Sequence, residues 1–359
     1  MPEQIDVSAL KARIAGRRVI ASVSGGKDSG AMSLWLHELG IEHDRVFMDT
    51  GWEHPDTYEY LRGPLTAALG PITEIRGDLT MIGLVTKKGM FPSRQRRFCT
   101  EELKVFPMQR YIAARVAEGL DVLNAVGIRR AESRARSAMS EWDWSEGFDC
   151  EVWRPLIAWS EQEVIDIHHR HGLRPNPLYL RGATRVGCFP CIMANKAELR
   201  LIADTAPEYI DKVRELEAVV GVSARERYER DRAAWLANPD PEPIEADFAA
   251  ESAANIARAE ASTDGEADEG HPEDGGYRKS REAWRKKKRR LESPFVGPSW
   301  FLAARGGAGM MPIDDAVAWS RTSRGGSVDQ VELFAAGDSD AGCMRWGLCD
   351  TGGGEKGGA

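Results

Sequence analysis

The sequence contains no apolar run that approaches the length of a membrane-spanning helix, and its first residues lack the basic-then-apolar pattern of a secretory signal. We therefore expect a cytoplasmic protein with no membrane partner. In that reducing setting, six cysteines in 359 residues indicate metal binding or redox chemistry rather than a disulfide scaffold. The formal net charge of −8 argues against indiscriminate binding of nucleic acid by the whole chain.

Two common phosphate-binding motifs are also missing from the glycine-rich segment SVSGGKDSG at Ser22–Gly30. A Walker loop would need a glycine at Ala21 and a hydroxyl residue at Asp28, and a dinucleotide fingerprint would need a glycine at Lys27. What is present is Ser-Gly-Gly-x-Asp-Ser, directly after an apolar run. Glycines let backbone N–H groups approach a phosphate, and the following helix offers its positive end. The residues that we expect to form the nucleotide-binding turn are Ser24, Gly25, Gly26, Lys27, Asp28 and Ser29, with Asp28 holding Mg²⁺ or ordering the loop.

Four apolar runs in the first part of the chain predict buried strands: RRVIASVS, DRVFMDT, PITEIRG and LDVLNAVGIR. Helical spacing in Ser29–Leu39, Pro55–Ala68 and Glu102–Glu118 separates them. This alternation predicts an α/β fold, a parallel sheet with helices on both faces. Ligands bind beyond the carboxyl ends of such strands, so Asp49 is either a nucleotide contact or a solvent-side turn residue.

Composition predicts four segments: a nucleotide-binding domain (1–195), a helical extension (196–237), an acidic disordered linker (238–276) and a basic, cysteine-containing tail (277–359). The tail begins with YRKSREAWRKKKRR, where Tyr277 and Trp284 could stack on bases. Its charge run either contacts nucleic acid or neutralises the acidic linker. The candidate contacts are Arg285, Lys286, Lys287, Lys288, Arg289 and Arg290.

The spacing Cys188-x-x-Cys191 lets two thiolates of one turn bind a single metal ion or cluster. Further candidate ligands are Cys99, Cys343 and Cys349. Cys150 starts an apparent strand, and we expect it to pack as a small apolar residue. The spacing alone leaves zinc, an iron–sulfur cluster and a redox dithiol open.

Four stretches, in order over roughly Ser22–Met193, resemble the phosphoadenosine phosphosulfate (PAPS) reductase branch of the PP-loop ATP pyrophosphatases. They are SGGKDS, FCTEELKVFPMQR, GIRRAESRARS and NPLYLRGATRVGCFPC, the last similar to cluster-bearing adenylyl-sulfate reductases. The resemblance implies an adenine-nucleotide α-hydrolase-like fold. The third stretch also places arginines, whose forked donors suit phosphate oxygens, after a strand. The residues that it matches are Gly127, Arg129, Glu132, Ser133 and Arg136.

The chain departs from those reductases at two points: Thr100 follows Cys99 where they have a second cysteine, and no Glu-Cys-Gly-[Leu/Ile]-His segment is present. It is therefore more similar to the PP-loop proteins of DNA phosphorothioation systems and to phage PAPS-reductase-like proteins. That resemblance implies Mg²⁺-ATP as substrate, adenylylation with pyrophosphate release, and sulfur transfer to DNA or tRNA from a donor protein such as a cysteine desulfurase. A sulfonucleotide reductase and a non-catalytic nucleotide-binding subunit are the alternatives.

The same resemblance implies roles for individual residues. The expected catalytic residues are Lys27, Asp28 and Arg129. The expected cofactor is a [4Fe–4S] cluster, with zinc as the alternative. Its implied ligands are Cys99, Cys188, Cys191 and either Cys349 or Cys343.

Overall fold

The computed structural model describes residues 6–93, 96–243, 275–299, 301–302, 310–322 and 346. Contacts divide the chain into two compact units, Met1–Glu217 with Ser299–Ala359, and Ala218–Pro298. The four-segment division expected from composition stays a prediction. None of the helices in the described ranges combines the length and the hydropathy that crossing a bilayer requires.

The first unit is built on a six-stranded sheet with the order β3-β2-β1-β4-β6-β5. All neighbouring pairs are parallel except β5 and β6. The predicted α/β fold with a parallel sheet is therefore confirmed, and the four apolar runs form β1 to β4. The strands are β1 (Arg18–Ser22), β2 (His43–Asp49), β3 (Ile72–Arg76), β4 (Val122–Val126), β5 (Trp142–Ser145) and β6 (Cys150–Trp153). A separate antiparallel pair comprises β7 (Phe301–Leu302) and β8 (Met310–Met311).

Helices connect the strands and flank the sheet. Those up to β4 are α1 (Val7–Ile14), α2 (Lys27–Glu38), α3 (Pro55–Tyr60), α4 (Thr66–Leu69), α5 (Met81–Lys88), α6 (Phe98–Thr100) and α7 (Phe106–Ala117), with π-helical turns at Leu61–Leu65 and Glu101–Val105. After β4 follow a 3₁₀ turn (Arg130–Glu132), α8 (Arg134–Ser137), α9 (Glu161–Arg170), α10 (Pro177–Leu180), α11 (Lys196–Thr205), α12 (Pro207–Ala237), α13 (Gly275–Glu292) and α14 (Ile313–Ser320).

The pairing register of β1 with β2 and β4 shows where these strands end relative to one another. Ser22, the last residue of β1, pairs with Val46 of β2 on one side and with Val126 of β4 on the other. The glycine-rich turn after β1 and the loop after β4 therefore leave the sheet at the same edge, where ligands of open parallel sheets bind.

The core explains why α2 lies flat on the sheet. Val19 and Ala21 of β1 are buried, and Trp35 of α2 packs with them in the main core cluster. Its ring centroid lies 6.0 Å from that of Trp153 and 5.9 Å from that of Trp159. Aromatic rings at these separations contribute packing energy beyond the area they bury, and they fix the helix whose first turn follows the glycines.

In the second unit, the end of α12 packs against α13. The ring centroids of Trp235 and Trp284 are 6.1 Å apart, those of Tyr228 and Phe295 are 5.3 Å apart, and Leu291 is fully buried. The helical stretch expected after residue 195 is present as α11 and α12. Most of the acidic linker lies outside the described residues.

Candidate nucleotide site and cysteine cluster

The glycine-rich turn requires its first glycine for two reasons. Gly25 has a φ of +73°, in the left-handed region that other residues avoid. A Cβ atom there would lie 2.9 Å from Cγ2 of Thr57. Gly26 then begins α2 as its N-cap residue, so the amino end of the helix opens directly onto the turn, as phosphate sites at helix N-termini require.

The two serines of the motif hold the turn together. The N–H of Ser24 donates to Oγ of Ser29 at 3.1 Å, and the Ser29 hydroxyl donates to the carbonyl of Gly26 at 3.0 Å. Ser29 is buried. The Ser29 hydroxyl and the Ser24 N–H are therefore engaged within the turn.

Three side chains that the sequence did not predict form hydrogen bonds with the backbone of the glycine-rich turn. The Lys27 N–H donates to the Tyr179 hydroxyl at 3.1 Å, and Nε2 of His168 lies 2.9 Å from the Lys27 carbonyl. Nδ2 of Asn176 donates to the Gly25 carbonyl at 3.3 Å. Asn176 and Tyr179 lie in the NPLYLRGATRVGCFPC stretch, which was a usable signal, whereas nothing in the sequence pointed to His168.

Two buried cations share the carboxylate of Asp28. Arg129 donates from Nε to Oδ1 of Asp28, and Nζ of Lys27 lies 3.7 Å from Oδ2. Lys27 also approaches Oε1 of Glu161, at the start of α9, at 3.3 Å. Lys27 is 8% exposed and Arg129 5%. The site thus places two buried cations, paired with the carboxylates of Asp28 and Glu161, beside the amino end of α2.

The loop after β4 is organised around Glu132. Its carboxylate accepts the Arg129 N–H at 2.7 Å and pairs with Arg136. Ser133 caps α8 by accepting the Arg136 N–H. A Cβ atom on Gly127 would lie 2.9 Å from the Asp28 carbonyl oxygen. The structure therefore brings Gly127 and Arg129 of the third motif against the glycine-rich turn, while Glu132, Ser133 and Arg136 form contacts within their own loop. The contact of these residues with a nucleotide stays a prediction.

Asp49 also lies at this edge of the sheet, but its carboxylate is engaged by the protein. It accepts hydrogen bonds from the Tyr58 hydroxyl at 2.6 Å and the Gly51 N–H at 2.8 Å, and it pairs with Arg76. Burial works against its ionisation, yet these hydrogen bonds outweigh burial and hold the pKa of Asp49 below its usual value. Its role as a nucleotide ligand stays a prediction.

Cys188 pairs through the backbone with Glu53, a buried residue of the loop after β2. Its sulfur lies 3.8 Å from Oε1 of Glu53 and 3.7 Å from Oγ1 of Thr50. Glu53 also accepts a hydrogen bond from the Thr50 hydroxyl at 2.7 Å, and its Oε2 lies 3.1 Å from the Tyr58 hydroxyl, whose single proton it shares with Asp49. A hydrogen-bonded chain therefore connects Asp49, through Tyr58 and Glu53, to the Cys-x-x-Cys turn.

Lys104 interacts electrostatically with Cys99, Cys188 and Cys191. Electrostatic interaction with Cys188 is the largest influence that raises the pKa of Lys104, and Glu53, Cys191 and Cys99 add to it. Burial raises the pKa of Cys188 and that of Cys99. The ammonium group of Lys104 would therefore offset the negative charge of thiolates at these positions.

The described residues contain no group of three or more His, Cys, Asp or Glu side chains placed to hold one metal ion. The candidate fourth ligands, Cys343 and Cys349, lie outside the described ranges. Cys150 is buried in a separate apolar cluster, as predicted, and burial raises its pKa to about 11. Thiolates such as those of Cys99, Cys188 and Cys191 suit a soft metal ion or a cluster, but the described positions of these side chains do not form such a site. Their role as ligands stays a prediction.

The basic run Arg285–Arg290 lies on α13. Some of its cations form ion pairs within the protein, and others do not. Lys287 pairs with Asp240, and Arg290 pairs with Asp231 at 3.2 Å. Lys286 pairs with Glu282 of the same helix at 2.6 Å. Nζ of Lys288 lies 5.0 Å from the ring centroid of Trp284. Within the described part of the chain, exposed Arg285 and Arg289 have no carboxylate partner.

Comparison with known proteins places these features in a family. The model of the phosphoadenosine phosphosulfate reductase domain matches residues 18–194. An uncharacterized 37.8 kDa protein of Escherichia phage 186 is 34% identical over 255 residues, covering 57% of this chain and 76% of the phage protein. An adenosine 5'-phosphosulfate reductase of Mesorhizobium japonicum is 28% identical over 175 residues, covering 48% of this chain and 65% of the reductase.

An uncharacterized protein of Methanocaldococcus jannaschii is 31% identical over 196 residues, but the match spans only 40% of that longer protein. Among solved structures, PAPS reductase from Candida auris matches with 19% identity and a TM-score of 0.41, covering 52% of this chain and 88% of that one. The family model spans β1 to the Cys-x-x-Cys turn, and the phage match covers three quarters of its protein. This chain therefore belongs to the phosphoadenosine phosphosulfate reductase family.

Proposed function

We propose that this chain is an enzyme that binds an adenine nucleotide at Ser22–Gly30 and acts at its α-phosphate in sulfur metabolism. The observation that carries the proposal is the pair of buried cations, Lys27 and Arg129, on Asp28 at the amino end of α2. Burying charged groups is costly unless they are paired. A nucleotide phosphate offers both cations a further anionic partner, in addition to Asp28 and, for Lys27, Glu161. The helix dipole also favours negative charge at this place.

The proposed reaction uses Mg²⁺-ATP. An oxygen of the acceptor attacks the α-phosphorus, the bond to the bridging oxygen of the β-phosphate breaks, and pyrophosphate leaves into the glycine-rich turn. A sulfur nucleophile, delivered by a donor protein such as a cysteine desulfurase, then displaces AMP from the acceptor. Lys27 and Arg129 stabilise the negative charge that develops on the phosphate oxygens, while Asp28 holds both cations in place. We propose DNA or tRNA as the acceptor.

The relatives named adenosine 5'-phosphosulfate reductase favour a second candidate. In that reaction the nucleotide is adenylyl sulfate. A thiolate attacks its sulfate sulfur, the bond to the phosphate oxygen breaks and AMP leaves; a second thiol then displaces sulfite from the resulting S-sulfonate as a disulfide forms. The same cations would hold the α-phosphate and the sulfate. A nucleotide-binding subunit without catalysis is the third candidate.

We further propose that Cys99, Cys188 and Cys191 hold a [4Fe–4S] cluster with Cys349 or Cys343, zinc being the alternative. When bound, such a cluster supplies one-electron chemistry. The surrounding side chains prepare the ligands for it. Lys104 offsets the charge of the thiolates, and Glu53 and Thr50 fix the orientation of Cys188 through their contacts with its sulfur.

The nucleotide reaction is tested with anaerobically purified protein. One assay supplies Mg²⁺-ATP with DNA or tRNA and measures pyrophosphate; the other supplies adenylyl sulfate with a thiol reductant and measures sulfite. We expect pyrophosphate in the first assay and no sulfite in the second. In Arg129→Ala we expect turnover to fall by about 100- to 1,000-fold, because a preorganised charge at the phosphate is lost.

Arg130→Ala is the matched control, since Arg130 is the adjacent, exposed arginine. It should retain turnover within about twofold, as surface substitutions usually do. Sulfite from adenylyl sulfate would contradict ATP as the substrate and support the reductase. Nucleotide binding with neither product would leave a binding subunit.

For the acceptor, we propose that the exposed cations of α13 contact the nucleic-acid backbone. Arg285 and Arg289 are one helical turn apart, so they present their charges on one face. We expect Arg285→Ser combined with Arg289→Ser to reduce the log–log salt slope of binding by about 0.7 to 0.9 for each phosphate no longer neutralised. Binding of labelled DNA and tRNA over a salt series measures it.

Lys287→Ser with Arg290→Ser is the matched control, because it removes two cations that are already paired with Asp240 and Asp231. Its salt slope should change less than that of the Arg285 and Arg289 variant, once circular dichroism has shown that α13 remains folded. Equal slopes in wild type and both variants would remove the role of α13 in binding the acceptor.

A further inference from the structure

Trp346 is separated from the sheet by a long stretch of sequence, yet it is 1% exposed in the folded chain. It forms an apolar cluster with Ile165 of α9 and Tyr179 of α10, against which Leu180 and Val186 also pack. A fully buried tryptophan removes a large apolar area from water. This residue is therefore part of the packed first unit.

The side chains that Trp346 contacts are those that hold the peptide groups of Lys27. Its ring centroid lies 5.4 Å from that of His168, with the rings perpendicular, and 5.9 Å from that of Tyr179. The Tyr179 hydroxyl accepts the Lys27 N–H, and Nε2 of His168 lies 2.9 Å from the Lys27 carbonyl. Because a carbonyl can only accept, Nε2 carries the proton and donates. Burial lowers the pKa of His168, which keeps the ring neutral.

His168 has little room to move. A Cβ atom on Gly30 would lie 3.0 Å from Cε1 of His168, so the imidazole already lies directly against α2. Trp346 closes the cluster on another side of the same ring. Without Trp346 the His168 and Tyr179 rings would gain space, and the first turn of α2 would lose the support that fixes it.

We infer that Trp346 is a positioning residue for the phosphate-binding turn, acting through Tyr179 and His168. The inference rests on the proposed function in one respect only, that the turn binds a nucleotide. Its physical content, that Trp346 restrains the backbone at residues 22–30, is independent of any ligand.

The test compares Trp346→Ala, Trp346→Phe and wild type. Amide hydrogen exchange is measured on peptides covering residues 22–30 and on the strand β6, and Mg²⁺-ATP binding is measured by calorimetry. In Trp346→Ala we expect exchange at 22–30 to accelerate relative to β6, and Kd to rise about tenfold with the loss of the aromatic contacts. Trp346→Phe keeps an aromatic ring in the cluster. Its exchange rate at residues 22–30 and its Kd for Mg²⁺-ATP should therefore be closer to those of wild type.

Trp319→Ala is the control, because Trp319 of α14 contacts Lys196 rather than the turn, and it should leave exchange at 22–30 unchanged. Equal exchange at 22–30 in Trp346→Ala and wild type, or equal acceleration at 22–30 and β6, would overturn the inference. If Trp346→Ala does not fold, Trp346→Leu replaces it under the same criteria. Wild-type protein that binds no adenine nucleotide would instead contradict the proposed function, and the exchange data would still decide the role of Trp346.

Discussion

Replacing Gly127 with alanine is expected to weaken nucleotide binding about 100-fold, the loss that a displacement of about 1 Å in a catalytic site can cause. The added Cβ would lie 2.9 Å from the Asp28 carbonyl oxygen and 3.0 Å from the Ser29 Cα. Both are backbone atoms of the first turn of α2, which cannot rotate away. The loop that carries Arg129 would have to move away from the glycine-rich turn.

Calorimetric titration with Mg²⁺-ATP and with adenylyl sulfate measures the effect, and thermal unfolding monitors the fold. Gly63→Ala is the matched control, because a Cβ at Gly63 meets no atom within 4 Å, and it should bind like wild type. Undiminished affinity in Gly127→Ala would show that the close approach of the two loops is not part of the nucleotide site.

Replacing Cys188 with serine is expected to remove the metal cofactor altogether. Wild-type protein purified anaerobically should contain about four iron atoms per chain and the visible absorbance of a cluster. In Cys188→Ser one of the thiolates near Lys104 is lost, and serine is a poor ligand for a soft metal. Elemental analysis and the absorbance spectrum measure the change.

Cys150→Ser separates metal binding from packing. Cys150 is buried among apolar side chains, so this variant should keep its iron while the free energy of unfolding falls by about 1 to 3 kcal/mol, the cost of burying a hydroxyl without a full partner. Colourless wild-type protein with one zinc per chain would contradict the cluster and leave the cysteines as ligands. Iron retained in Cys188→Ser would remove that residue from the ligand set.

The sequence predicted those parts of the fold in which local pattern determines structure. The apolar runs identified β1 to β4, because a buried parallel strand is a nearly continuous apolar segment. The antiparallel edge strand β5 was not predicted: it is only Trp142–Ser145, and its two middle residues are exposed, so it has no apolar run. Helix α2 was predicted because Ser29–Leu39 has helical spacing, a local pattern.

In the candidate site, too, the residues that belong to local motifs were predicted and those contributed by distant segments were not. Lys27, Asp28 and Arg129 were predicted from motifs, and the structure brings their side chains together. His168 and Trp346 were not, because no local pattern states which distant segment will cover a given surface. For Asp49, position at the end of a strand was correctly inferred, but its hydrogen bond with Tyr58 depends on side-chain geometry that spacing does not encode.

The packing of Trp346 has a consequence for the order in which the protein matures during synthesis. Domains generally fold from the amino end as the chain emerges, and β1, the glycine-rich turn and α2 are made early. Their supporting cluster is completed only when residue 346 has been added. A nascent chain can therefore form the sheet before the cluster beneath the glycine-rich turn is complete. If the turn binds a nucleotide as proposed, full affinity would be acquired late in translation.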